Sequence, residues 1–333
     1  MRMKKSTKWV WVSFLIILLV EGWFCEGCWK QERDALLHLQ AQFNEPVGYD
    51  ISDCCLWDYV ECNNTTRRVA RLTLSGRWYK WVGNWYLNIS DFQAFEALES
   101  LDLSFNSILG CVQNKGAGSA ENLSFSFSNL KHLDLGHNFL NNSGILSSSK
   151  GTLSWPSNFE VLDLSYNSFG NDIISSFREL KYLKQLDLSG NQLEGSVDIN
   201  ELYGLTKLEI LDLSYNNISS VVARQGIKMS LSNVSALHLD GCKIDGNMLR
   251  KSLRPFPYIK NIYLNQNQFK GTILARDFGE LNNLEHLELS FSSNITNEFF
   301  ESIGSLTSLK VLSMRSCGIN GTLPIGGKLL LSF

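Results

Sequence analysis

The chain has 333 residues, of which 44% are hydrophobic and 19% are charged, so it holds enough apolar material for a sizeable core and does not have the composition of a disordered chain. Its formal net charge is -3 without a long run of one sign, which excludes the basic footprint of a nucleic-acid-binding protein. No linker or low-complexity tract interrupts it, so we expect one architecture throughout.

The first residues have the pattern of a targeting segment. Four basic residues precede an apolar stretch of 12 residues from Trp9 to Val20, whereas a membrane-spanning helix needs about 20. We therefore predict a secretory signal peptide over 1–27, cleaved near Gly22 or Gly27, with an uncleaved signal anchor as the alternative. The predicted route is the secretory pathway.

The segment 28–66 is predicted to be an N-terminal cap held together by disulfide bonds. Its stretch Glu32–Phe43 has the apolar spacing of an amphipathic helix. Secretion permits disulfides, and we propose the pairs Cys28–Cys54 and Cys55–Cys62, because adjacent cysteines do not readily staple different elements by bonding to each other. Four cysteines allow three pairings, so spacing alone leaves the other pairings open.

A repeated motif follows the cap. From Leu162 onward its copies start 24, 25, 26, 25, 25 and 25 residues apart, which fits the leucine-rich pattern L-x-x-L-x-L-x-x-N/C-x-L with its period of about 20–29 residues. We predict an α/β leucine-rich-repeat solenoid of about ten repeats over 67–324: a curved right-handed superhelix with a parallel β-sheet on its concave face and a disulfide-stapled helical cap. The copies start at Leu72, Leu101, Leu133, Leu162, Leu186, Leu211, Leu237, Ile262, Leu287 and Leu312.

Each position of the repeat has a physical role. The two leucines of Leu-x-Leu face inward on a short strand, and the residue between them faces solvent. The Asn that ends the motif turns inward, where its amide bonds backbone groups at the bend. Cys242 and Cys317 occupy that Asn position, so we expect buried structural thiols and not reactive ones. Cys25 would leave with the signal peptide, and Cys111 has no evident partner.

The sequence motifs of the cap and of the repeats resemble motifs of plant proteins. Cys28-Trp-Lys-Gln-Glu-Arg-Asp-Ala-Leu-Leu and Cys54-Cys-Leu-Trp resemble the plant-type leucine-rich-repeat cap, and the Leu-Asp-Leu-Ser-x-Asn copies look like the plant-specific repeat class. The chain resembles the N-terminal ectodomain part of a plant receptor-like protein. That resemblance implies recognition of an extracellular peptide or protein ligand in defence or developmental signalling. It also implies a co-receptor kinase as partner and the outer side of the plasma membrane as location, if a longer, membrane-anchored form exists.

The sequence at the end of the chain differs from the pattern of that family. The repeat pattern reaches Pro324, and 325–333 is predicted to be an irregular, truncated tail without the further repeats and membrane helix of such receptors. As written, the product would be secreted to the apoplast. The alternative is a secreted polygalacturonase-inhibitor-like protein or a soluble decoy, although such inhibitors close with a cysteine cap and no cysteine follows Cys317.

The solvent-facing residues of the Leu-x-Leu strands form a column across the concave face, and five of them are aspartates. One hypothesis is an acidic groove that receives a basic peptide or protein patch. The alternative, which we favour, is that Leu-Asp-Leu-Ser is the default repeat sequence, with Asp and Ser bonding between neighbouring strands. The column contains Thr73, Asp102, Asp134, Asp163, Asp187, Asp212, His238, Tyr263, Glu288 and Ser313.

A second row of candidate ligand-binding residues follows the strands. Exposed aromatics on a rigid wall are typical interface anchors, but edge aromatics also lean across the neighbouring coil. The segment Arg77–Tyr86 adds three tryptophans, for which packing over the cap is favoured over an exposed contact loop. The row contains Phe105, His137, Tyr166, Tyr215, Gln266 and Phe291.

No motif for catalysis is found. The sequence has no glycine-rich phosphate loop and no Gly-x-Ser-x-Gly elbow, and its five histidines are scattered without metal-ligand spacing. A paired-carboxylate hydrolase is disfavoured because an open solenoid wall lacks an enclosed pocket. We predict no enzymatic activity, no metal, no cofactor and no nucleic-acid partner.

The chain carries nine Asn-x-Ser/Thr sequons, which predict a glycosylated secretory product. They are Asn63, Asn64, Asn88, Asn122, Asn141, Asn217, Asn233, Asn294 and Asn320.

Overall fold

The computed structural model describes residues 28–42, 53–77, 85–112, 128–143, 155, 158–223, 231–318 and 330–332. The predicted signal peptide, Phe43, most of the tryptophan-rich segment and the sequons Asn122 and Asn320 lie outside the described residues. No described helix is long and apolar enough to cross a membrane.

The N-terminal cap is built on one helix and two disulfides. Helix α1 (Lys30–Gln42) buries Leu36 and Leu39 in the hydrophobic core, as the amphipathic spacing predicts. Disulfides join Cys28 to Cys54 and Cys55 to Cys62, with Cα atoms 5.6 and 5.5 Å apart. The proposed pairing is therefore confirmed.

A buried ion pair joins this cap to the first strand of the solenoid. Glu32 in α1 is fully buried, and its Oε1 accepts a hydrogen bond from Nε of Arg68 at 2.8 Å. Its Oε2 accepts the backbone N–H of Val69 at 3.1 Å. The guanidinium of Arg68 also lies over the ring of Trp29, 4.2 Å from its centroid. One carboxylate thus fixes the helix to the chain that enters the sheet.

One twelve-stranded sheet forms the concave wall. Its first two strands pair antiparallel, and the following pairs are parallel with the inward leucines in register, as for Leu186 and Leu211. Numbered along the chain together with the smaller sheets below, its strands are β1 (Val60–Cys62), β2 (Val69–Thr73), β4 (Ser100–Asp102), β6 (His132–Asp134), β7 (Val161–Asp163), β8 (Gln185–Asp187), β10 (Ile210–Asp212), β12 (Ala236–His238), β13 (Asn261–Tyr263), β15 (His286–Glu288), β17 (Val311–Ser313) and β18 (Leu330–Ser332).

Strand β18 corrects one expectation. The tail over 325–333 is predicted to be irregular, but its residues Leu330–Ser332 pair parallel with β17, Leu331 beside Leu312. The physical reason is that the last repeat strand leaves a row of unpaired backbone N–H and C=O groups. The extended segment Leu330–Ser332 pairs with those groups.

Three two-stranded parallel sheets line the next side of the coils. They pair β3 (Trp85–Asn88) with β5 (Ile108–Val112), β9 (Glu194–Asp198) with β11 (Asn217–Val222), and β14 (Gln268–Ile273) with β16 (Ser293–Ile295). The repeat pattern of the sequence does not predict these sheets. Gly195 and Gly271 lie inside these strands with φ of 61° and 81°, a region that favours glycine because it has no Cβ.

Short helices close the convex side. The α-helices among the described residues there are α2 (Gly246–Leu253) and α3 (Glu298–Glu301). The 3-10 helices of the coils are Ile89–Phe92, Asn171–Phe177, Asn200–Gly204, Ala275–Phe278 and Ile303–Ser305, whereas Cys54–Leu56 lies in the cap. Their phenylalanines, such as Phe92, Phe177 and Phe278, are buried against the leucines of the sheet, so each coil completes its core only by stacking on its neighbours.

Inward-facing asparagines connect successive coils. Nδ2 of Asn216 donates to the carbonyls of Leu188 in the preceding repeat and Leu213 in its own, at 2.9 and 3.0 Å. Its Oδ1 accepts the N–H of Leu193 at 3.0 Å. Asn106, Asn138, Asn167, Asn191 and Asn267 occupy the same position. The predicted role of this residue is confirmed.

Two cysteines fill that asparagine position. Cys242 is buried, its thiol donates to the carbonyl of Leu213 at 3.5 Å, and burial raises the pKa of this thiol to about 11. Cys317 is only half-buried, although its thiol donates to Leu289 at 3.0 Å. Cys111 is buried in β5, where burial raises its pKa to about 12.

Candidate functional site

The predicted acidic column is assembled on the concave face. We use this term for Asp102, Asp134, Asp163, Asp187 and Asp212. Parallel pairing places each of these residues beside the next one along the sheet, and all five are half-buried. The column is therefore continuous across five repeats.

Each carboxylate of the column is held within its own repeat. Its Oδ1 accepts the backbone N–H of the second following residue at 2.8 or 2.9 Å. The expectation that aspartates bond between neighbouring strands is thus wrong, because the tight turn after each strand brings its own N–H closer. The serines do bond across repeats: the hydroxyls of Ser75 and Ser104 are 2.8 Å apart, and those of Ser290 and Ser313 are 2.9 Å apart.

The middle of the column is electrostatically crowded. A Cβ on Gly136 would lie 3.1 Å from Oδ1 of Asp134 and 3.2 Å from Oδ1 of Asp163, so two carboxylates flank one small gap. Burial first, and then the charge of Asp163, raises the pKa of Asp134 to about 7 and that of Asp187 to about 6. The negative charge of the concave face therefore grows as the pH rises through this range.

After β10 the exposed residues of the concave face are aromatic and polar side chains instead of aspartates. The ring of His238 on β12 stacks on Tyr263 of β13, with centroids 4.1 Å apart. Nε2 of His286 lies 3.0 Å from Oε1 of Glu288 on β15. Burial lowers the pKa of His238, which favours its neutral form. The predicted residues His238, Tyr263 and Glu288 are thus brought together as a mixed aromatic and polar surface.

Sequence reasoning missed two members of this surface. Asp240 accepts the backbone N–H of Asn265 at 2.6 Å, and Nδ2 of Asn265 donates to Glu288 at 2.8 Å. Burial raises the pKa of Asp240 to about 6. Both residues occupy the position held by Ser104 and Ser214 in more regular repeats. A comparison of this position between repeats would have identified them, because Asp240 and Asn265 replace the usual serine.

The row of aromatics lies on the turn after each concave strand. Phe105, His137 and Tyr166 form one stack, with successive ring centroids 4.0 and 4.2 Å apart. The turn gives all six predicted members positive φ values of 49–59°. The row comprises Phe105, His137, Tyr166, Tyr215, Gln266 and Phe291.

These rings lean across the neighbouring coil and stay accessible. The rings of Tyr166 and Tyr215 lie where a Cβ on Gly190 and Gly241 would be, at 2.7 and 2.5 Å. Tyr166 is nevertheless 44% exposed, Tyr215 is 46% exposed and Phe291 is 60% exposed. A ring that packs over the neighbouring coil can therefore still contact a ligand.

The described part of the chain offers no metal site. Within those residues, no group of three or more His, Cys, Asp or Glu side chains could hold a metal ion. The stacked histidines of the concave face are separated by the ring of Tyr263, so they do not converge on one point.

Sequence comparisons identify the family. Models described as Leucine Rich repeats (2 copies) and Leucine Rich Repeat match 183–225 and 158–180. Cuscuta receptor 1 of Solanum lycopersicum is 31% identical over 283 residues, which is 82% of this chain. Receptor like protein 21 of Arabidopsis thaliana is 33% identical over 234 residues, 65% of this chain. The chain belongs to the leucine-rich-repeat receptor-like proteins of plants. It spans about a fifth of these relatives, 22% of each.

Solved structures share the fold of this receptor-like chain. A plant ice-binding protein matches with a TM-score of 0.58 and 19% identity, covering 90% of both chains. The ectodomain of the Arabidopsis receptor kinase HAESA, solved with an IDA peptide hormone ligand, matches with a TM-score of 0.53 and 24% identity. That match covers 87% of this chain and 45% of the solved ectodomain chain. Both likenesses concern the fold alone.

Proposed function

We propose that the chain is the ligand-recognising ectodomain part of a receptor-like protein and that its concave face binds an extracellular peptide or protein. Predicted members of this surface are Asp163, Tyr166, Asp187, Asp212, Tyr215, His238, Tyr263, Glu288 and Phe291. Signalling in defence or development would run through a co-receptor kinase in a longer, membrane-anchored form. No catalytic step is part of the proposal.

The observation that carries this proposal is the placement of the sequons. Asn88, Asn217 and Asn294 lie in the small sheets, Asn141 forms an isolated bridge with Ser168, and Asn233 lies in the turn before β12. Asn63 and Asn64 lie between β1 and β2. None of these described sequons lies among the concave columns, so glycans attached to them would leave that face open to a macromolecule.

The backbone of the wall supports recognition by side chains. Inner concave strands pair on both edges, so a ligand cannot add a strand there, and specificity has to come from the exposed aromatic and polar groups. A preformed wall loses little conformational freedom on binding. The exposed rings of Tyr215 and Phe291 are suited to be the anchors.

The test uses peptides selected from a displayed random library against the secreted chain. Tyr215→Ala and Phe291→Ala should each weaken their binding by about tenfold or more, because anchor residues dominate interface energy. Tyr258→Ala is the matched control, since this tyrosine is 59% exposed but precedes β13 and lies outside the concave columns. Equal affinities for all three variants would refute the proposal.

The acidic column has its own test within this function. If the ligand is basic, replacing Asp163, Asp187 and Asp212 together by Ala should weaken binding and abolish its dependence on ionic strength. Unchanged affinity would exclude the acidic-groove hypothesis and leave the aromatic anchors as the recognition surface.

A further inference from the structure

A second surface runs along the edge where the chain enters the concave strands. An open groove of about 480 Å³ crosses the repeats of β4 to β10 there, a span of four strand intervals, roughly 19 Å. The residue two positions before the inward leucine alternates in charge along this groove. We call these residues the charge ladder: Glu99, Lys131, Glu160, Lys184 and Glu209.

Two ion pairs lie within the charge ladder. Nζ of Lys131 lies 2.8 Å from Glu99, and Nζ of Lys184 lies 2.6 Å from Glu160. With Lys207 beside Glu209, the groove is lined by three cations and three anions. Exposed ion pairs of this kind contribute only about 0–1 kcal/mol, so a ligand hydroxyl can replace one contact of a pair at little cost.

The backbone of the groove is not available to a ligand strand. The backbone N–H of Lys131 donates to the carbonyl oxygen of Glu99, that of Glu160 to the carbonyl of Lys131, and that of Lys184 to the carbonyl of Glu160. These three distances are 2.7 or 2.8 Å. Every interior strand of this edge is paired on both sides. An extended peptide therefore finds no edge for strand addition here, and recognition depends on side chains.

The wall of the groove includes one exposed aromatic ring. Tyr182 is 58% exposed and lines the groove together with Ser128, Asn129 and Asn158. An aromatic face packs well against the apolar face of a sugar ring. A sugar hydroxyl both donates and accepts, so it suits alternating carboxylates and ammonium groups, and hydrogen bonds to charged partners are the stronger kind.

We propose that this groove binds a neutral oligosaccharide. Its ring stacks on Tyr182, and its hydroxyls bridge the ammonium and carboxylate groups of the charge ladder. The balance of three cations and three anions disfavours a polyanion or a polycation, because each would meet as many like charges as opposite ones. This surface is distinct from the concave face of the proposed function.

The oligosaccharide has two possible sources. One is a free or cell-wall chain, and the other is the glycan of this protein itself. The sequon Asn233 occupies the same repeat position as Tyr182 and Lys207, one repeat beyond Lys207, and its Nδ2 donates to the carbonyl of Thr206. A glycan on Asn233 would leave the surface beside the end of the groove.

The experiment is isothermal titration calorimetry of the secreted chain with cellohexaose and N-acetylchitohexaose. At least one should bind the unaltered chain or its Asn233→Gln variant. Tyr182→Ala, introduced into the protein that binds, should weaken binding by about tenfold or more. Tyr258→Ala is the matched control, since it is 59% exposed at the same repeat position but does not line the groove. Its affinity should equal that of the unaltered chain.

The variant Asn233→Gln separates the two sources. Binding by both the unaltered chain and this variant supports an external oligosaccharide, whereas binding by the variant alone supports occupancy by the glycan of Asn233. The proposal is overturned if neither protein binds either neutral probe, or if hexagalacturonate or a chitosan hexamer binds more tightly. It is also overturned if, in a protein that binds a neutral probe, Tyr182→Ala and Tyr258→Ala change the affinity equally.

Discussion

Replacing Glu32 by Gln is the sharpest test of how the cap is held. The variant leaves the guanidinium of Arg68, whose side chain is 14% exposed, facing a neutral amide. Removing one partner of a buried ion pair costs about 3–5 kcal/mol. Arg68 keeps Glu96 at 3.5 Å and the ring of Trp29 at 4.2 Å, so the expected loss is at the lower end, about 3 kcal/mol.

The assay is urea unfolding followed by circular dichroism, together with hydrogen exchange of the Val69 amide. That amide loses its charged acceptor and should exchange faster. Glu96→Gln is the matched control, because Glu96 contacts the same guanidinium with a side chain that is 78% exposed, and its loss should stay below about 0.5 kcal/mol. Equal losses of stability in the two variants would refute the reasoning.

Three further predictions concern the repeats. Asn216→Ala should lower the free energy of unfolding by about 3 kcal/mol, because it removes the donor of two buried carbonyls and the acceptor of a buried N–H. The exposed neighbour variant Asn217→Ala should change it by less than about 0.5 kcal/mol in the same urea experiment. Gly241→Ala should destabilise by about 1–2 kcal/mol more than Gly195→Ala, since both glycines have a φ of 61° but only at Gly241 would the new Cβ meet the Tyr215 ring; equal losses would contradict this. Lowering the pH from about 7.5 to about 5 should stabilise the chain, because the folded pKa of Asp134 is about 7 and the unfolded pKa is about 3.9, so the folded state binds more protons in this window. Asp134→Asn should reduce that dependence, and an unchanged pH profile would exclude Asp134 as its source.

Most of the concave sheet could be predicted from the sequence, because ten phased Leu-x-Leu copies define both the strands and their inward side chains. The adjacency of Cys54 and Cys55 disfavours a bond between them, but only the structure decides between the two remaining pairings of the cap cysteines. The short sheets could not be predicted. Strand Glu194–Asp198 has one buried side chain, Val197, so its period-2 pattern is hidden and only the partner Asn217–Val222 makes it a strand.

The site was predictable in position and less so in chemistry. The spacing of the repeats aligns Asp134 with Asp163, but it does not reveal their burial, and burial is the first cause of the raised pKa of Asp134. The charge ladder was visible in principle as Glu99, Lys131 and Glu160 at one repeat position. The Leu-x-Leu motif does not reveal it, because the ladder residues lie two positions before the first leucine of the motif.

The most direct test of the concave face as the ligand-binding surface is a glycan placed on it. Asp187→Asn creates an Asn-Leu-Ser sequon ending at Ser189, and the same substitution combined with Ser189→Ala is the control without a sequon. The measurement is the affinity of the secreted variants for the display-selected peptides. Our account predicts that the glycosylated variant loses binding by about tenfold or more, while the control binds nearly as well as the unaltered chain. Full binding by the glycosylated variant would contradict it.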